Sequence, residues 1–191
     1  QEIDLLVTNS FECTSLSTQV IEVFETPIPQ VLISPQEGCE PLEILVEDIS
    51  LGAISTNISI ANAGWLVYNG AIIEDQILIE NSGNYVLNMT AVSPDGCTGS
   101  MSDPEIINVW PLPDTDFNAE PLIASSEDPS QSHPYNTTFE FINLTTGHDV
   151  SYWVFGNGTV SEEEEPIIDF VNPGQYPVFL TTTSQYGCVS T

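Results

Sequence analysis

Two histidines, four cysteines and 28 acidic residues are the groups through which this 191-residue chain could do chemistry, and it has no lysine or arginine. Ordinary chains carry both signs of charge on about one residue in four. A formal charge of −28 without basic residues excludes a Schiff-base lysine, a P-loop lysine and an arginine clamp. It also excludes the phosphate neutralisation that nucleic-acid binding requires and attraction to anionic lipid. His133 sits in a Ser/Pro-rich stretch and His148 follows Gly147; both read as surface-loop residues, with no nucleophile motif around them. Carboxylate pairs suited to glycoside hydrolysis are so numerous that none is singled out. There is no C-x-x-C pair, so zinc is unsupported. The chain therefore reads as non-enzymatic and without a cofactor.

Calcium is the one metal the residue types suit, because it takes six to eight oxygen ligands. Glu162, Glu163, Glu164 and Glu165 follow the Gly156–Gly158 turn, and Asp169 comes shortly after. Asp48, Glu74 and Asp75 occupy comparable ground earlier in the chain. No D-x-[DN]-x-[DN]-G loop is present, and a solvated acidic face is the ordinary reading of such runs. Ca2+ thus stands as an expectation on these residues and no more.

These groups must be positioned by a repeating framework. Gly83-Asn84-Tyr85-Val86-Leu87 resembles Gly174-Gln175-Tyr176-Pro177-Val178 at an offset of 91, and Ile77, Ile79, Asn81 and Gly96-Cys97 meet Ile168, Phe170, Asn172 and Gly187-Cys188 at the same offset. The stretch from Ile44 to Ser50 matches Phe139 to Thr145 at offset 95, and Trp65 and Gly70 match Trp153 and Gly158 at offset 88. Ile3, Leu5, Val7 and Cys13 fall on Leu87, Met89, Ala91 and Cys97 at offset 84. The expected organisation follows: 1–26 as the last strands of a preceding repeat, 27–112 as one repeat, and 113–191 as a second lacking its last strand. Thr26-Pro27-Ile28-Pro29 and Pro111-Leu112-Pro113 read as stiff joints between them.

The local pattern is β. Tyr85, Leu87, Met89 and Ala91 alternate with Val86, Asn88, Thr90 and Val92, and Leu42, Ile44 and Val46 alternate with Glu43, Leu45 and Glu47. Alternation broken by Gly, Pro, Asn and Asp predicts all-β, tandem immunoglobulin-like β-sandwich domains. In that frame the tryptophans plug cores, the glycines after them take positive φ, and Tyr85 and Tyr176 bury a ring while the hydroxyl bonds to a turn. No apolar run approaches the roughly 20 residues of a membrane span, so no direct membrane insertion is expected.

Trp153-Val154-Phe155-Gly156-Asn157-Gly158, followed by Asn172-Pro173-Gly174-Gln175-Tyr176-Pro177-Val178, resembles the polycystic-kidney-disease (PKD) domain family and its W-x-F-G-D-G and P-G-x-Y-x-V elements. Asn157 replaces the second Asp, and the first copy departs further with Trp65-Leu66-Val67-Tyr68-Asn69-Gly70. Gly38-Cys39-Glu40-Pro41 and Asp95-Gly96-Cys97 are similar to elements of PKD-like repeats in giant Bacteroidota surface proteins, among them the gliding-motility adhesins exported by type IX secretion. That resemblance implies an extracellular, cell-surface, filamentous adhesin. Its partners would be neighbouring repeats of the same chain and extracellular polysaccharide or protein ligands.

In that secreted setting the cysteine arithmetic gives an intra-domain Cys39–Cys97 disulfide. Cys13 then pairs upstream or stays free, and Cys188 stays unpaired. The expected function is a structural spacer of an adhesin filament. A carbohydrate- or protein-binding accessory module of a secreted enzyme and a calcium-dependent surface-layer protein are the alternatives.

Overall fold

The computed structural model of the chain describes residues 2–62, 65–70, 74–121, 138–172 and 174–191, with backbone alone at 2, 65, 67, 74, 75, 104 and 105. His133, Pro134 and Pro173 lie outside the described residues, as do the side chains of Trp65, Glu74 and Asp75. Every element described is a strand, and among the described residues no helix is long and apolar enough to cross a membrane.

The chain opens with a hairpin of β1 (Glu2–Thr8) and β2 (Thr14–Val20). Eight strands follow: β3 (Val31–Ser34), β4 (Glu37–Cys39), β5 (Leu42–Asp48), β6 (Ser55–Asn62), β7 (Trp65–Gly70), β8 (Glu74–Ile79), β9 (Gly83–Val92) and β10 (Thr98–Trp110). They form a sheet ordered β3-β5-β8 and a sheet ordered β4-β10-β9-β6-β7. The remaining strands are β11 (Phe117–Pro121), β12 (Thr138–Asn143), β13 (Val150–Phe155), β14 (Val160–Ser161), β15 (Ile167–Asp169), β16 (Val178–Thr183) and β17 (Val189–Ser190). Their sheets are ordered β11-β12-β15 and β14-β13-β16-β17.

The two sets have the same layout. β3-β5-β8 corresponds to β11-β12-β15, and β10-β9-β6-β7 to β17-β16-β13-β14. This division of strands between two antiparallel sheets is that of an immunoglobulin-like β-sandwich. In the first set β4 adds an edge, running parallel to β10 with Cys39 opposite Trp110.

By contacts the chain forms two compact units, Gln1–Ser34 with Leu45–Gln76 and Val86–Pro104, and Pro35–Ile44 with Ile77–Tyr85 and Glu105–Thr191. In the first, β6 lies between β7 and β9, with Ile58 opposite Met89 and Ile60 opposite Leu87. The second contains an aromatic core in which Phe141, Trp153, Phe155, Ile168, Phe170 and Leu180 cluster. The rings of Phe141 and Phe155 lie 4.8 Å apart, and Phe117 meets Trp153 edge-on at 5.2 Å. Such tilted contacts add about 0.5–1.5 kcal/mol each beyond area burial.

Period-2 alternation does place these side chains. In β9, Tyr85, Leu87, Met89 and Ala91 are buried while their neighbours face out, and β5 and β16 follow the same rule. Tyr85 donates from its hydroxyl to the Asn81 carbonyl at 2.6 Å, and Tyr176 to the Asn172 carbonyl at 2.7 Å. The 95-residue offset also holds in atomic detail. The amide of Ile49 donates to Gln30 and that of Leu144 to Asp116; Asp48 accepts from the Ser50 amide and Asn143 from the Thr145 amide.

The tryptophan match needs correcting. Trp65 lies on β7, beyond β6, whereas Trp153 lies on the central β13. Trp153 pairs with Leu180, and the residue paired with the Leu180 counterpart Met89 is Ile58. Ile58 therefore occupies in the first sandwich the fully buried position that Trp153 holds in the second. Gly158 has φ +89 in the turn after β13, but Gly70 is the last residue of strand β7. A Trp-x4-Gly spacing recurs on two different strands, because sequence spacing carries no information about which strand is the neighbour.

Candidate functional site

Three hairpin turns in this chain are built alike. The amides of Asn9, Ser93 and Ser184 donate to the carbonyls of Cys13, Cys97 and Cys188, and those of Glu12, Gly96 and Gly187 donate back to Asn9, Ser93 and Ser184. The side-chain oxygen of Asn9, Ser93 or Ser184 accepts the amide of the closing cysteine in each. The fourth residue takes positive φ: 64° at Glu12, 83° at Gly96 and 80° at Gly187. Glycine suits that conformation and an L side chain is strained in it.

The third of these turns carries the disulfide. Cys188, fully buried, is bonded to Cys39, with the two Cα atoms 5.5 Å apart. The expected Cys39–Cys97 bond does not form, and Cys97 and Cys13 are free. The reason lies in β10. Cys39 is in register with Trp110 at the end of that strand, while Cys97 precedes its first residue, Thr98. The two cysteines are therefore at opposite ends of a 13-residue strand, a contour of roughly 40 Å at about 3.3 Å per step. A disulfide needs Cα atoms within about 7 Å.

Other contacts converge on the same bond. The Trp110 and Tyr186 rings stack with centroids 5.1 Å apart and planes 1° from parallel. The Glu40 carboxylate accepts the amide of Leu112, inside the Pro111-Leu112-Pro113 joint, at 3.2 Å, and its other oxygen accepts the Ser82 amide. The Glu40 amide in turn donates to the Trp110 carbonyl at 3.0 Å. Glu40 next to Cys39 thus ties the backbone of residues 110–112 to that of Ser82, through a carboxylate that makes charge-assisted bonds. Sequence reading missed Glu40, Trp110 and Tyr186. The Gly-Cys-Glu-Pro string was the only local signal.

The corresponding place before the first sandwich is open. A cleft of about 550 Å³ there is lined by Val23, Phe24 and Thr26 on one side and Ser93, Pro94 and Asp95 on the other. Thr26 and Asp95 stand where the second joint has Trp110 and Tyr186, so two small groups replace a stacked ring pair. Pro27 passes close by: a Cβ on Gly99 would lie 2.1 Å from its carbonyl oxygen.

Two of the acidic residues considered for calcium, Asp48 and Glu164, are otherwise engaged. Asp48 accepts from Ser50 and from the Thr56 hydroxyl. Burial pushes its carboxyl up, but those hydrogen bonds outweigh burial and hold it below its ordinary value. Glu164 accepts from His148 Nε2 at 2.8 Å, from Ser151 at 2.9 Å and from Asn143 at 3.1 Å. Burial again pushes up, and the Ser151 and His148 bonds, the His148 charge and the Asn143 bond bring the net value down. His148 is therefore a partly buried hydrogen-bonding residue, not a bare surface one. The Glu163 carbonyl accepts the Trp153 indole at 2.9 Å. Among the described residues no group of three or more His, Cys, Asp or Glu side chains is placed to hold a metal.

No protein-family model matches the chain, and no curated protein matches it. Among solved structures it is similar to one described as a Ca2+-stabilised adhesin that helps an Antarctic bacterium reach out and bind ice, at 11% identity and a TM-score of 0.44, over 99% of this chain and 54% of that one. The chain thus spans about half the length of that structure. It is also similar to an amphioxus IgVJ-C2 molecule at 13% identity and a TM-score of 0.35, over 81% of this chain and 95% of the other. What the chain is, on its own sheet order, is an all-β protein of the immunoglobulin-like sandwich type.

Proposed function

We propose that the chain is a non-enzymatic, load-bearing spacer within an extracellular filamentous adhesin, with 27–112 and 113–191 as successive repeats and 1–26 as the end of another. Its place is the cell surface, and the finer assignment to PKD-like repeats of gliding-motility, type IX-secreted adhesins belongs to the same proposal. The observation that carries it is the Cys39–Cys188 bond, which ties an edge strand of one sandwich to a hairpin turn of the next. Disulfides of this kind persist in oxidising, extracellular compartments. A bond that bridges a joint resists extension. The hairpin β1–β2 supports the repeat reading. Ile3, Leu5 and Val7 share one face, and Leu5 is 61% exposed, while their counterparts Leu87, Met89 and Ala91 are buried. With 28 carboxylates and no basic residue, the filaments would repel one another and offer trypsin-like proteases no cleavage site.

Pulling on the two ends of a single molecule tests this. The bond closes off a sequence separation of 149 residues, so the oxidised chain should yield only the residues outside it. Reduction should add about 500 Å of contour length, at roughly 3.6 Å per residue. Equal extension with and without reductant would remove the load-bearing role.

A further inference from the structure

Cys188 and Cys97 occupy one position in one repeated turn, yet one is bonded and the other is a partly buried free thiol. The second sandwich therefore shows what the residue does when the preceding sandwich is present with its β4 cysteine. Both joints also place the turn against the end of the preceding segment: Tyr186 stacks on Trp110, and Asp95 lines a cleft with Thr26, the counterpart of Trp110. The first joint differs in two ways: Thr26 and Asp95 replace the ring pair, and the stretch before it holds no counterpart of Cys39.

We propose that Cys97 is a second staple site, whose partner is a Cys39-type cysteine on the edge strand of a repeat that precedes it in the chain. Each repeat's edge-strand cysteine would then bond the hairpin-turn cysteine of the next, and Cys13, closing the third such turn, belongs to the same series. The sequence register puts Pro134 at the Cys39 position of the second sandwich, so this series ends there. The inference rests on the tandem-repeat reading above. In the bond-forming step two thiols lose two protons and two electrons to a disulfide oxidant. With oxidised glutathione, one protein S–S bond forms, the glutathione S–S bond breaks, and two glutathione thiols are released.

The test inserts a second copy of residues 27–110 between Thr26 and Pro27 of the full chain, raising its four cysteines to six. After refolding in a glutathione buffer, free thiols are alkylated and counted by intact mass. Two free thiols are expected, the same number as in the parent chain, because the inserted Cys39 and the downstream Cys97 consume each other. Four free thiols, with Cys39–Cys188 retained, would overturn the proposal. Cys97→Ser in the downstream copy should leave three free thiols; a count of one would reveal bonding within a copy and would also overturn it. Should the enlarged chain not fold, glutamyl-endopeptidase mapping of the unreduced protein from its source decides. A Cys97 peptide joined to an upstream Gly-Cys-x-Pro peptide supports the staple, and an alkylated Cys97 refutes it. Loss of this staple would leave the contour-length result at Cys39–Cys188 untouched, so the two readings fail separately.

Discussion

The two sandwiches satisfy one strand plan with different interiors. Val46, Ile58, Ile60 and Ile79 occupy the first where Phe141, Trp153, Phe155 and Phe170 occupy the second, all of them buried. Turns, tyrosine hydroxyls and the hydrogen bonds of the strand after each joint coincide, while side-chain volume does not. The plan is thus specified by backbone pairing, alternation and turn chemistry. The interior needs only to be apolar and filled, since cores tolerate extensive apolar exchange when total packing is kept.

The largest break in that equivalence should come from the interior itself. Trp153→Ala should cost about 3–5 kcal/mol, and Ile58→Ala should fall lower in the range of about 2–5 kcal/mol, measured by denaturant titration followed with circular dichroism. A costlier Ile58→Ala would undo the equivalence of the two positions. The turns offer a smaller and more pointed contrast. Gly187→Ala should destabilise by about 1–2 kcal/mol, because nothing crowds its Cβ but φ is +80°. Glu12→Gly should protect β1–β2 in hydrogen exchange by roughly 0.5–1 kcal/mol, since Glu12 already bears that strain. Greater exchange in Glu12→Gly would contradict the shared-turn account.

The smallest expected difference is in acid. Asp48 and Glu164 have folded values below their ordinary 3.8 and 4.5. A lowered carboxylate value contributes stability that is complete above the ordinary value and disappears as pH falls through the folded one. Asp48→Asn and Glu164→Gln should each lose less Tm than the parent between about pH 5 and pH 3. Parallel curves for parent and variants would place the acid sensitivity elsewhere.

Much of this was legible because it is local. Alternation in β5 and β9, the i to i−4 tyrosine bonds and the cysteine-closed turns each depend on residues within a few positions of one another. Two readings failed because they depend on neighbours in space. The Trp65 match ignored that four additional residues lie between β6 and β8 in the first sandwich, as the change of offset from 95 to 91 requires. The Cys39–Cys97 pairing ignored the length of β10, which carries the strand ends apart. Glu40 was invisible for a related reason: its amide partners, Ser82 and Leu112, are far along the chain.

The indole of Trp153 gives the acidic stretch beside it an optical readout. Its N–H ends on the carbonyl of Glu163, one residue from the Glu164 carboxylate that His148 and Ser151 hold. Protonation or cation binding at that stretch should therefore perturb the surroundings of a fully buried ring. Its share of the emission, beside that of Trp65 and Trp110, would report on that stretch without any attached dye.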